Sequence, residues 1–63
     1  MKRYTVTTWK PSDEEGELVN IEFDSYDAAY NCLITYCTWG GWVGFIFDTL
    51  HNRRCAAVGA TLD

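Results

Sequence analysis

DSYDAAYNCLITYCTWGG, Asp24 through Gly41, is where the pattern of this chain changes. On either side of it, apolar residues alternate with polar ones. Within it, Tyr26, Ala29, Tyr30, Leu33, Tyr36 and Cys37 gather on one side at the 3.6-residue spacing of a helix, and Asp27, Asn31, Thr35 and Thr38 gather opposite. The spacing predicts one amphipathic helix of about three to four turns. Asp24 or Ser25 can cap its start with a side-chain oxygen, and Asp27 lies in the first turn, where the helix dipole favours negative charge. Several of its residues are mediocre helix formers, so the helix must gain its stability from docking its broad apolar face. Gly40 or Gly41 supplies the left-handed residue that ends it.

Working outward, the upstream half reads as a hairpin. KRYTVTTWK alternates, with Tyr4, Val6 and Thr8 on one side and Arg3, Thr5, Thr7 and Trp9 on the other. PSDEEG has turn composition. ELVNIEFD alternates again, with Val19, Ile21 and Phe23 opposite Leu18, Asn20, Glu22 and Asp24. Downstream, WVGFIFDTL sets Val43, Phe45 and Phe47 against Trp42, Gly44, Ile46 and Asp48. HNRR turns the chain at Asn52, which tolerates positive φ. RCAAVGATL forms a last strand in which Gly59 marks a bulge or a close approach. The order is ββαββ. It predicts an α+β fold of two layers, a four-stranded and mainly antiparallel sheet with one helix packed on one face. In this reading Val19, Ile21, Phe23, Val43, Phe45 and Phe47 meet Tyr26, Leu33 and Cys37 beneath the helix. The other face then carries Trp9, Thr7, Thr5, Leu18, Asn20, Glu22, Trp42, Ile46 and Asp48. Trp9 and Trp42 on that face are expected to anchor a partner, to pack on each other, or to join two copies of the chain as a homodimer.

Residues 1–63 are expected to form a single domain with a small core that relies on its ten aromatic residues. Neither a signal-peptide run nor a bilayer-spanning length of apolar residues is present, which points to a cytoplasmic protein. The three cysteines, Cys32, Cys37 and Cys55, are an odd number and read as buried free thiols. Cys32 and Cys37 stand roughly 140° apart around a helix, no C-x-x-C occurs, and His51 lies in a turn where it is expected to meet solvent. No metal site, cofactor or catalytic constellation follows from these residues.

Charge is the sharpest signal. No Lys or Arg occurs between Lys10 and Arg53, and that span holds Asp13, Glu14, Glu15, Glu17, Glu22, Asp24, Asp27 and Asp48. The first seven of these carboxylates are expected to form one anionic surface. It would repel nucleic acid and attract a basic partner, with Trp9 or Trp42 as apolar anchors. The alternative is that the acidic residues only keep a small aromatic-rich domain in solution.

In size, net acidity and ββαββ order the chain resembles small phage-encoded anti-defence proteins, in particular anti-CRISPR inhibitors. The likeness is architectural and spans the chain without a shared motif, so it carries over no functional residue. It implies a non-enzymatic inhibitor, working in the host cell cytosol, that binds a basic nucleic-acid-binding protein or nucleoprotein complex and blocks its nucleic-acid path.

Overall fold

The strands β1 (Tyr4–Trp9) and β2 (Leu18–Phe23), the helix α1 (Tyr26–Gly40), and the strands β3 (Val43–Asp48) and β4 (Arg53–Val58) follow one another in the predicted ββαββ order. The computed structural model describes residues 2–11 and 18–59. The strands form one sheet in the order β2-β1-β3-β4, and every neighbouring pair is antiparallel. β1 and β3 are therefore central. The helix carries the chain from β2, across β1, to β3, and packs mainly over those two central strands. No helix among the described residues is long and apolar enough to cross a membrane.

The core beneath the helix is small. Val6, Ala29, Leu33 and Ile46 are fully buried, with Tyr4, Phe23, Cys32, Cys37, Cys55, Ala56 and Val58 packed around them. Val6 pairs with both Ile21 and Ile46, so β1 places its apolar residue at the centre of the covered face. Burying side chains of this kind stabilises by about 1.5–3 kcal/mol each, which makes this cluster the main support of a helix with weak intrinsic propensity.

One strand faces the opposite way from the reading of its sequence. Cross-strand partners point to the same side of a sheet, and Gly44, Ile46 and Asp48 pair with Thr8, Val6 and Tyr4. These three residues of β3 lie under the helix, and Val43, Phe45 and Phe47 lie on the helix-free face. Trp42 accounts for the reversal. Its ring packs on Tyr36 of α1, with centroids 5.4 Å apart. Once Trp42 is held against the helix, alternation sends Gly44, Ile46 and Asp48 to the same side. Gly44 fits there because a Cβ would collide with the Thr7 carbonyl oxygen and come within 2.7 Å of Thr8 Cγ2.

The turns divide between expectation and surprise. Gly41 is the left-handed helix terminator, with φ 68°, and Asn52 takes φ 54°. Gly40 serves differently: its position would clash with the Trp42 ring if it carried a Cβ. Ser25 occupies the N-cap, but its side chain makes no capping hydrogen bond. The β-bulge falls where Ile46 pairs with Ala56 and Phe47 with Arg54, so Cys55 is the extra residue. Gly59 instead has φ 71° and crowds Val43.

Candidate functional site

The helix-free face can be laid out as rows across the sheet. One row is Asn20, Thr7, Phe45 and Ala57; the next is Glu22, Thr5, Phe47 and Arg54. Leu18, Trp9 and Val43 form a third. Trp9 meets Phe45 edge-on with centroids 6.0 Å apart, and the Arg54 guanidinium lies 3.9 Å above the Phe45 ring. The Thr7 hydroxyl donates to the Asn20 amide oxygen at 2.7 Å. The face thus presents an aromatic stripe along β3 and β1, with the polar pair beside it satisfied internally. Leu18 is 55% exposed at its edge.

Of the expected acidic residues, Glu22, Asp24, Asp27 and Asp48 lie among the described residues. Glu22, Asp24 and Asp27 are all exposed. Glu22 belongs to β2, Asp24 to the β2–α1 junction and Asp27 to the first turn of α1. Lys2 Nζ approaches Asp24 Oδ2 at 3.7 Å, and both side chains are mostly in solvent, so this pair removes little of the local negative field. Asp13, Glu14, Glu15 and Glu17 lie outside the described residues.

Asp48 leaves the acidic set altogether. It was expected on the helix-free face beside Ile46; both residues lie on the helix side, and the Asp48 side chain is 7% exposed. Arg3 grips it with two hydrogen bonds, Nε to Oδ1 at 3.1 Å and Nη2 to Oδ2 at 3.0 Å. The backbone N–H of Leu50 donates to Oδ1 at 3.0 Å. His51, expected merely to meet solvent, sets Nδ1 at 2.7 Å from Oδ2. A carboxylate only accepts, so Nδ1 carries the proton. Arg3 and His51 together hold the Asp48 carboxyl well below the usual carboxylate range. Arg3 is fixed from the other side as well, since Thr49 donates through its N–H at 2.9 Å and its hydroxyl at 2.7 Å to the Arg3 carbonyl oxygen. The arrangement ties the N-terminal end of β1 to the β3–β4 turn.

The tryptophans divide differently from the expectation. Trp9 stands on the helix-free face as expected. Trp42 was expected on that face too, but it is half-buried against Tyr36 and fastens the helix end to the sheet. Trp39 is the exposed one, at 85%. Only the direction of the last helical turn could have identified it: Trp39 falls beside Thr35 and Thr38 on the polar side.

The thiols of Cys32, Cys37 and Cys55 are half-buried and free, and burial pushes all three up from their ordinary value. They stay protonated and pack as small apolar groups. No group of three or more His, Cys, Asp or Glu side chains among the described residues could hold a metal ion. No family model, curated protein or solved structure matches the chain.

Proposed function

We propose that this protein acts by occupancy rather than turnover, as an inhibitor that docks its acidic β2 margin on a basic, nucleic-acid-binding protein in the host cell cytosol. The observation that carries this reading is the exposure of Glu22 in β2, Asp24 at the β2–α1 junction and Asp27 in the first turn of α1, with only a loose 3.7 Å contact from Lys2 to Asp24. A complex that grips nucleic acid displays lysines and arginines, and carboxylates spaced along a strand edge offer them substitute charges for phosphate. Asp13, Glu14, Glu15 and Glu17, which enter the same strand from its other end in sequence, extend the role. Trp9, paired with Leu18 at the start of β2, supplies an apolar contact.

The test is a pull-down with wild-type bait and with bait carrying Glu14→Lys, Glu15→Lys, Glu17→Lys and Asp27→Lys. The wild type should retain a nucleic-acid-binding protein, release its nucleic acid, and lose it as salt rises from about 50 to 500 mM. The reversed bait should retain none of it while melting within a few degrees of wild type. Equal retention by both baits would sink the electrostatic reading.

A further inference from the structure

We infer, resting on the reading of the β2 margin as the docking site, that what the basic partner lays there is a strand: an extended segment in which lysine or arginine alternates with apolar residues adds to the outer edge of β2 as a fifth strand of the sheet. Among the described residues no strand pairs with that edge, because β2 ends the order β2-β1-β3-β4. The Arg3 N–H donates to the Phe23 carbonyl oxygen at 3.1 Å, so the Phe23 backbone turns toward β1. Backbone groups alternate between the two sides of a strand, so Ile21 and Val19 turn toward β1 with Phe23. Leu18, Asn20 and Glu22 then direct their N–H and C=O groups outward, a row of donors and acceptors open to another chain.

The two edges of the sheet differ in their readiness for this. Sheets blunt an edge with bulges, prolines or lysines. β4 is interrupted by the bulge at Cys55, and its Arg54 is already held over the Phe45 ring. β2 has neither device. Its six residues, LVNIEF, include no proline, lysine or arginine, and its register against β1 runs unbroken from Phe23 opposite Tyr4 to Leu18 opposite Trp9. The backbone of such an edge accepts a strand, and the side chains choose which strand. On the helix side an added strand lies beside Val19, Ile21 and Phe23. These are only half-buried, because the helix packs mainly over β1 and β3, so apolar residues on that side of the guest complete their burial. On the other side the guest lies beside Leu18, Asn20 and Glu22, all exposed. Residues opposite one another on neighbouring strands have Cβ atoms about 5 Å apart, within reach for a lysine or arginine to pair with Glu22. Charge favours a basic segment over a second copy of this chain. Residues 13–27 hold seven of the nine Asp and Glu residues and no Lys or Arg, so β2 laid against β2 brings like charge to like.

The experiment is an NMR titration of the purified chain, read by amide hydrogen exchange, with the peptide acetyl-Lys-Val-Arg-Val-Lys-Val-Lys-amide. At saturation the peptide should slow exchange at the Leu18, Asn20 and Glu22 amides about tenfold or more. The same peptide methylated at every backbone nitrogen, which keeps its charge but cannot pair as a strand, should bind at least tenfold more weakly. Asn20→Pro removes an outward N–H and no ladder bond to β1. It should bind the peptide about tenfold more weakly than Asn20→Ala, which loses the same side-chain bond to Thr7 but keeps the N–H. Glu22→Pro against Glu22→Gln makes the same comparison should Asn20→Pro not fold, and the methylated peptide needs no variant. Equal binding by the methylated peptide, or unchanged exchange at the three amides in the bound state, overturns strand addition; the charge-reversal pull-down then judges the docking reading by itself. No binding up to about 1 mM overturns it too, as does equal binding by a peptide with Glu in place of each Lys and Arg. Slowed exchange at the same amides on concentrating the chain without peptide assigns the edge to a second copy and overturns the basic segment.

Discussion

The two faces of the sheet both carry large apolar side chains, and only one of them is covered by the helix. The covered face holds Val6, Ile46, Gly44 and Thr8 beneath Ala29 and Leu33, ringed by Tyr4, Phe23, Ala56 and Val58, a small core in which the Thr8 hydroxyl is buried without a hydrogen-bond partner. The uncovered face holds Trp9, Val43, Phe45 and Phe47. Stability and contact surface are thus separated within one sheet. The side under the helix decides whether the chain folds, and the side away from it has aromatic area to spare for something else.

Substitution under the helix should break this contrast most severely. Leu33→Ala or Ile46→Ala should cost about 2–5 kcal/mol, as much as a domain of this size possesses. Urea titration at 25 °C should find these variants largely unfolded, whereas Phe47→Thr remains folded. Next comes the rim, where Asp48 closes the covered face. Asp48→Asn should lower Tm by on the order of 10 °C at pH 7. The sign of its pH dependence follows from a folded-state carboxyl held below its unfolded value of about 3.9. That contribution is complete above pH 4 and is lost as pH falls further. Thermal melts should show the gap between the wild type and Asp48→Asn narrowing progressively as pH falls from about 4 to 2 and closing only below that; a constant gap would mean that the ion pair is not the cause.

The smaller effects sharpen the contrast. Thr8→Val removes a buried hydroxyl that makes no bond and keeps the shape, so it should stabilise by up to about 1 kcal/mol in the same titration. On the opposite face, Phe47→Thr should change monomer stability, read at sub-micromolar concentration by tryptophan fluorescence, by about 1 kcal/mol or less. Trp39→Ala, outside both faces, should leave it unchanged within about 0.5 kcal/mol.

The features that were legible in the sequence are those fixed by near neighbours. The helix from Tyr26 declares itself by spacing, Gly41 by its place after the last turn, and Asn52 by its tolerance of positive φ between two strands. The facing of β3 was not legible. Val43-Phe45-Phe47 is the more apolar set, and a pattern of period two permits either set to turn inward. The deciding contacts lie far away in sequence: Trp42 on Tyr36, Gly44 against Thr7 and Thr8, and Asp48 on Arg3, 45 residues apart. The candidate site divides in the same way. Exposure of Glu22, Asp24 and Asp27 followed from polarity alone. Removal of Asp48 from the acidic set, and the exchange of Trp42 for Trp39 as the exposed ring, required partners that no local pattern names.

By itself the sequence determined the ββαββ order, the antiparallel hairpins and an acidic stretch free of cations, because propensity, periodicity and charge act over a few residues. Only the tertiary structure decided the strand order β2-β1-β3-β4 and which side of β3 the helix covers. A strand is indifferent to its own facing, and one ring packed against a helix is enough to set it for every residue that follows.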